Sequence, residues 1–179
     1  MKDNEMFRFL AGGLKLSGRV ASLLLVAALA GCASSAEPAQ KVVSLDIVIE
    51  ADARVNADAQ GRPAPIQVRV FELRSRSVFE DADFFSLQGK PRQVLGEDLA
   101  ESDDLVLRPG DVKNIQRRAD GKTVAVGIVA GYRDLGRSQW RATYVMPPRQ
   151  AQGWFSSSNQ TVRVRVKVGA DTVSVTEAD

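Results

Sequence analysis

The chain has no histidine and a single cysteine, Cys32. Without histidine, the Ser-His-Asp and Cys-His catalytic arrangements and the usual zinc ligand sets cannot be assembled. Aspartate and glutamate could still do acid chemistry, but no carboxylate pair stands out. One cysteine makes no internal disulfide, so the fold must be held by its core, which a chain of this length can build. A basic surplus is missing too. The net charge of +2 comes from 24 basic and 22 acidic residues, and Lys2, Arg8, Lys15 and Arg19, against Asp3 and Glu5, fall in the first 31. The other 148 residues carry 20 of each sign, a balance that gives no reason to expect nucleic-acid binding, which displaces counterions with a basic excess. Nor is there an apolar run of the ~20 residues needed to span a bilayer core of ~30 Å. These absences argue against an enzyme, a nucleic-acid binder and a membrane-spanning protein.

The apolar run that is present, Val20 to Ala28, follows Lys15 and Arg19 and closes on Leu29-Ala30-Gly31-Cys32. A basic flank, a short apolar core and small residues make residues 1–31 a secretory signal. A Cys directly after Leu-Ala-Gly resembles the lipobox of bacterial lipoproteins. That resemblance implies cleavage before Cys32, a diacylglycerol on its thiol and an acyl group on the new amino terminus. A transmembrane anchor with an incidental Cys is the competing reading, and the run is too short for it. Each buried methylene contributes ~0.8 kcal/mol, so several acyl chains hold where one binds only reversibly. The sorting pattern of such lipoproteins retains the protein in the inner membrane when Asp follows the Cys. Ala33 stands there, which implies the outer membrane, with the domain facing the periplasm. Residues 32–41, small and polar, read as a flexible tether that extends up to about 30 Å.

Residues 42–179 read as one domain, without repeats. Val43, Leu45, Ile47 and Ile49 alternate with Ser44, Asp46, Val48 and Glu50, a strand with one buried face. Asp52 to Pro65 has no apolar period and is longer than a hairpin needs. Ile66, Val68 and Val70 start a second strand. At Ser77-Val78-Phe79-Glu80 the pattern fits a helix-starting capping box, with Asp81 and Asp83 near the positive helix start. Val78, Ala82 and Phe85 would share a face, and a further turn or two of helix is expected within Gln93–Ala100, giving a helical insertion over about 77–100. Phe79, Phe84 and Phe85 are expected to pack this insertion onto the sheets; an exposed aromatic patch is the other reading.

Strand patterns then return. Leu105–Leu107 and Val112–Arg117 flank an Arg108-Pro109-Gly110-Asp111 turn, and Asp120-Gly121 is another turn signal. Thr123 to Tyr132 is apolar on both faces, which suits a central strand covered on both sides. Gln139–Val145 ends at Pro147-Pro148. Val162 to Val168 alternates with Arg163, Arg165 and Lys167, and Thr172–Thr176 is the last strand. About eight short strands with turn signals predict an all-β, two-sheet antiparallel sandwich. The stripe Arg163-Arg165-Lys167 is expected to be a solvated face that discourages edge pairing, rather than a dock for acidic groups. Arg133-Asp134 reads as a local ion pair. Trp154 and Phe155 could pack under the sandwich, rest on lipid headgroups or meet a partner; core packing leads.

Asn56, Gly61 to Ile66, Val68 to Leu73, Phe79, Ala82 to Phe85, Leu87, Leu95-Gly96, Leu107 to Gly110, Tyr132 to Asp134 and Trp140-Arg141, in this order and after the lipobox, resemble the outer-membrane lipoprotein of type VI secretion systems, the TssJ family. Ala57 stands where the family often has Pro. The resemblance implies a transthyretin-like sandwich with a helical insertion and a protruding loop between strands one and two. It implies binding to the periplasmic C-terminal domain of the inner-membrane protein TssM, which ties the complex to the outer membrane. The loop is the contact attributed to this role, which assigns partner binding to Asn56, Asp58, Gln60, Gly61, Arg62 and Pro63. Pro63 and Pro65 would stiffen it and lower the entropy cost of binding, or merely lead into strand two. The expected protein is non-catalytic, with no cofactor beyond the lipid on Cys32, no metal, no nucleic acid and no small-molecule substrate. The alternatives are a lipoprotein of another envelope assembly, and a transthyretin-like small-ligand carrier or hydrolase with a pocket of convergent polar groups.

Overall fold

Alternation over nine residues makes β1 (Val43–Ala51) a strand whose odd-numbered side chains are all buried. The same logic builds β7 (Gln160–Val168), where Val162, Val164, Val166 and Val168 point inward and Arg163, Arg165 and Lys167 stay exposed. The computed structural model describes residues 43–148 and 160–178, all belonging to one compact unit. The other elements are β2 (Ile66–Leu73), α1 (Ser77–Asp81), α2 (Phe84–Gly89), α3 (Pro91–Leu95), β3 (Leu99–Leu107), β4 (Val112–Arg118), β5 (Ala125–Ala130), β6 (Arg141–Val145) and β8 (Val173–Glu177). The signal, Cys32, the tether, Trp154 and Phe155 lie outside the described residues.

Two four-stranded sheets form, ordered β4-β1-β7-β8 and β3-β2-β5-β6. The expected sandwich with a helical insertion is therefore present. Every pair is antiparallel except β1 with β7, which is parallel. Alternation alone carries no strand direction, so this pair was invisible to it. Leu45, Ile47 and Ile49 meet Val68, Val70, Val126 and Ile128 in the core between the sheets. Each such aliphatic side chain contributes about 1.5–3 kcal/mol by leaving water.

β5 is buried on both faces, as its composition predicts. Val126 and Ile128 face the main core, while Ala125 and Val129 face a second cluster with Phe71, Phe79, Leu87 and Leu95. Gly127 lies directly under the Phe79 ring: a Cβ there would sit 2.6 Å from a ring carbon. Only glycine permits this approach of helix to strand.

The insertion departs from expectation in detail. Ser77 caps nothing: the residue before α1 is Arg76, and α1 has no side-chain cap. The working cap is Asp83, whose carboxylate accepts from Ser86 N at 3.0 Å at the start of α2. Phe79, rather than Val78, faces the sheet; Val78 is 39% exposed and Phe85 is 74% exposed. Two arginines rising from the sheet hold the helices instead. Arg69 grips Asp104 through two bonds of 2.5 and 2.8 Å and donates Nη1 to the Leu87 and Gln88 carbonyls. Arg141 donates Nη1 to the Phe79 and Ala82 carbonyls and stacks 4.8 Å from the Trp140 ring. Both satisfy carbonyls that short helices leave open.

β3 begins at Leu99 rather than Leu105. Its acidic middle hid it, because Asp and Glu are poor strand formers; here Asp103 pairs with Arg117 and Asp104 with Arg69. β7 is an interior strand, so its basic stripe guards no edge. It is a solvated face, with Arg165 3.4 Å from Glu50.

Candidate functional site

β1 defines two poles. At its start, Ala119 N donates to Val43 O, placing the β4–β5 connection there. At its end, Ala51 bonds with Gly110 and Asp111, and Asp52 N donates to Val168 O. That second pole therefore gathers the long β1–β2 loop, the β3–β4 turn and the β7–β8 turn. Gly131 N bonds to Gln67 O near the start of β2, which adds the β5–β6 connection. Nine residues of strand separate the poles by about 30 Å.

The β1–β2 loop is built from within. Asn56 has φ +52°, a left-handed conformation that asparagine tolerates better than most residues. It was expected to face a partner, but it is only 5% exposed. Its Nδ2 donates to Pro65 O at 3.0 Å, and its Oδ1 accepts from Arg133 N at 2.9 Å. One amide thus ties the loop's two limbs together and ties both to the β5–β6 connection. Ala64 N donates to Val55 O and closes the base.

Asp58 organises the tip. Its carboxylate accepts from Gln60 N at 3.0 Å, Arg62 N at 2.9 Å and Arg62 Nε at 2.7 Å, with Arg133 Nη1 3.9 Å away. The Arg62 amide, followed by the Arg62 side chain and the Gln60 amide, holds this carboxyl below its ordinary pKa. Gly61 N returns to Asp58 O at 2.8 Å with φ +76°, a turn suited to glycine. Gln60, Gly61, Arg62 and Pro63 are left exposed, the Arg62 side chain by 75%. The structure therefore divides the six expected contact residues. Asn56 and Asp58 hold the loop, and the other four present a cationic, hydrogen-bonding tip on a pre-formed backbone.

Sequence reasoning missed what joins the loop to the sandwich. Arg133 does not pair with Asp134, which lies instead 3.4 Å from Arg137 on the surface. Arg133 serves the loop through its backbone amide and guanidinium. Tyr132 beside it is 5% exposed, and burial raises its phenol pKa. Spacing carries no sign of this contact, because it spans 77 residues.

The pole can do recognition chemistry. Among the described residues, no group of three or more His, Cys, Asp or Glu is placed to hold a metal ion. Among the same residues, no helix is long and apolar enough to cross a membrane.

A family model described as type VI secretion lipoprotein, VasD, EvfM, TssJ matches residues 43–171. The chain is similar to the crystal structure of the type VI lipoprotein TssJ1 from Pseudomonas aeruginosa, with 31% identity and a TM-score of 0.68 over 77% of this chain and 98% of that one. It is similar to Lip of Serratia marcescens, a membrane-bound component of the type VI secretion system, with 32% identity and a TM-score of 0.66 over 76% of this chain and 97% of that one. A structure named for the C-terminal domain of the type VI protein TssM from EAEC holds a chain of the same fold, with 20% identity and a TM-score of 0.56 over 76% and 98% of the two chains. No curated protein matches.

Proposed function

The chain belongs to the type VI secretion lipoprotein family, and on that premise we propose that it is the non-catalytic outer-membrane anchor of a type VI secretion membrane complex. Cys32 carries the lipid, and the mature protein faces the periplasm as a single sandwich domain from about residue 42. The β1–β2 loop binds the periplasmic C-terminal domain of the inner-membrane protein TssM. TssM is the partner of choice because it is what the family resemblance implies.

One observation carries the reading. The chain that follows Cys32 joins the sandwich at Val43, at one pole, while the braced loop with exposed Gln60, Arg62 and Pro63 stands at the other. A body lipidated at one end and rigid at the far end reaches inward from the outer membrane. Because Asn56 and Asp58 already fix the loop backbone, little ordering entropy remains to be lost on binding.

The test has two arms in the producing bacterium. Acyl labelling with membrane fractionation should place wild-type protein in the outer membrane and lose both label and location in Cys32→Ser. A pull-down with residues 59–63 replaced should lose TssM while the melting temperature is kept. Soluble wild-type protein in the periplasm would overturn the anchor, and undiminished capture of TssM would overturn the loop.

A further inference from the structure

The helical insertion carries a second exposed feature that the loop does not account for. Phe85, 74% exposed, is the most exposed large hydrophobic side chain among the described residues. It is held rather than loose: its ring lies edge-on to Phe84 at 5.4 Å, and Phe84 lies edge-on to Trp140 at 5.4 Å. Arg69 and Arg141 fix the helices beneath through the carbonyls of Phe79, Ala82, Leu87 and Gln88. Beside Phe85 runs a groove of about 550 Å³ lined by Ser86, Gly89, Lys90, Gln93 and Val94. Lys90, exposed, is the one charged residue that lines it; the nearby Asp83 carboxylate is occupied by Ser86 N and Oγ.

The helix that lines one side of the groove, α2, reaches the loop pole. Phe84 reaches within 3.8 Å of where a Cβ of Gly131 would lie, and Gln88 donates to Gln67 near the start of β2 at 2.6 Å. Two residues beyond Gly131, Arg133 N is bound by Asn56.

We propose that Phe85 and this groove form a second contact with the partner held by the β1–β2 loop, receiving an apolar side chain of that partner flanked by a carboxylate. The proposal rests on the loop reading. A rigid aromatic beside a groove is the kind of residue that dominates interfaces, and immobilising it costs little further entropy. Lys90 on the groove selects an acidic flank. A bilayer is the poorer occupant, because α2, which lines the groove, reaches the pole opposite the one where the chain from Cys32 joins. A second copy is poorer too: one aromatic and a short groove fall short of the ~800 Å² per partner that a stable dimer buries. As an extension of the loop contact they do not have to carry the affinity alone.

The test measures binding of the mature acylated protein in detergent to the purified periplasmic C-terminal domain of the TssM-type protein. Phe85→Ser should weaken binding about tenfold or more. Lys90→Glu should weaken it severalfold, and both should keep the wild-type melting temperature. Wild-type affinity in both variants, while an Arg62→Ala, Gln60→Ala double variant loses binding, would overturn the groove and leave the loop reading intact. Loss of affinity in Phe85→Ser with none in the loop variant would uphold the groove and overturn the loop. No binding by the wild type would overturn both. Unchanged partner affinity, together with self-association lost in Phe85→Ser or with vesicle flotation of the unacylated Cys32→Ser protein lost on adding Phe85→Ser, would overturn the assigned occupant.

Discussion

Replacing Asn56 by alanine should release the loop without unfolding the sandwich. The side chain makes two hydrogen bonds, to Pro65 O and from Arg133 N. Each contributes about 1 kcal/mol net. Its φ of +52° costs an alanine roughly 1 kcal/mol more. The sum is about 3 kcal/mol, a hundredfold at 1.4 kcal/mol per tenfold. Because the strands on both sides are held by the core between the sheets, the loss falls on local opening rather than on global stability. Amide exchange measured by NMR reads this directly: protection of Arg133 N–H should drop by about two orders of magnitude, while β1 and β7 amides stay protected. Binding to the partner should weaken even though Asn56 is buried, because the tip would have to be ordered on contact. Asn56→Gly relieves the backbone cost and should recover about fivefold of the protection, but not the rest. Undiminished Arg133 protection in Asn56→Ala would refute the claim that this amide braces the loop.

Two further outcomes follow from the geometry. Gly127→Ala pushes a Cβ into the Phe79 ring and should destabilise the protein by about 1–3 kcal/mol in urea denaturation. Phe79→Ala should cost about 3–5 kcal/mol, and the double variant less than the sum of the two, because the clash is then gone. Asp58 should titrate below the ordinary carboxylate value of about 3.9. A lowered folded-state pKa gives stability that is present above about pH 3.9 and is lost as pH falls through the folded value. Carboxyl NMR of Arg62→Ala should show a partial rise only, since the backbone amide of residue 62 remains the largest cause; a full return to the ordinary value would contradict that ordering.

How much was legible depended on whether the signal was local. Val43 to Glu50 and Val162 to Val168 show their strand period in a short window, and both lie within strands that form. The all-apolar stretch around Gly127 announced a strand covered twice, and the Phe79 ring against Gly127 supplies the reason. β3 was read short because Glu101 to Asp104 look unlike a strand, and their partners Arg69 and Arg117 lie on other strands. The capping box at Ser77 failed because helix position here is set by burying Phe79 and Leu87, which moves the side-chain cap to Asp83. In the loop, Gly61 and the prolines marked irregular backbone correctly. The split between holding and presenting residues was not readable. It depends on Arg133, which reaches Asn56 across 77 residues of chain.

The account stands on one body with two opposite working ends. Site-specific photo-crosslinking in cells tests this directly, with a crosslinking amino acid placed at exposed Arg62 on the loop tip or at exposed Lys122 on the opposite pole. The expected result is an adduct with the TssM-type inner-membrane protein from position 62 and none from position 122. An adduct from position 122 with none from position 62 would contradict it.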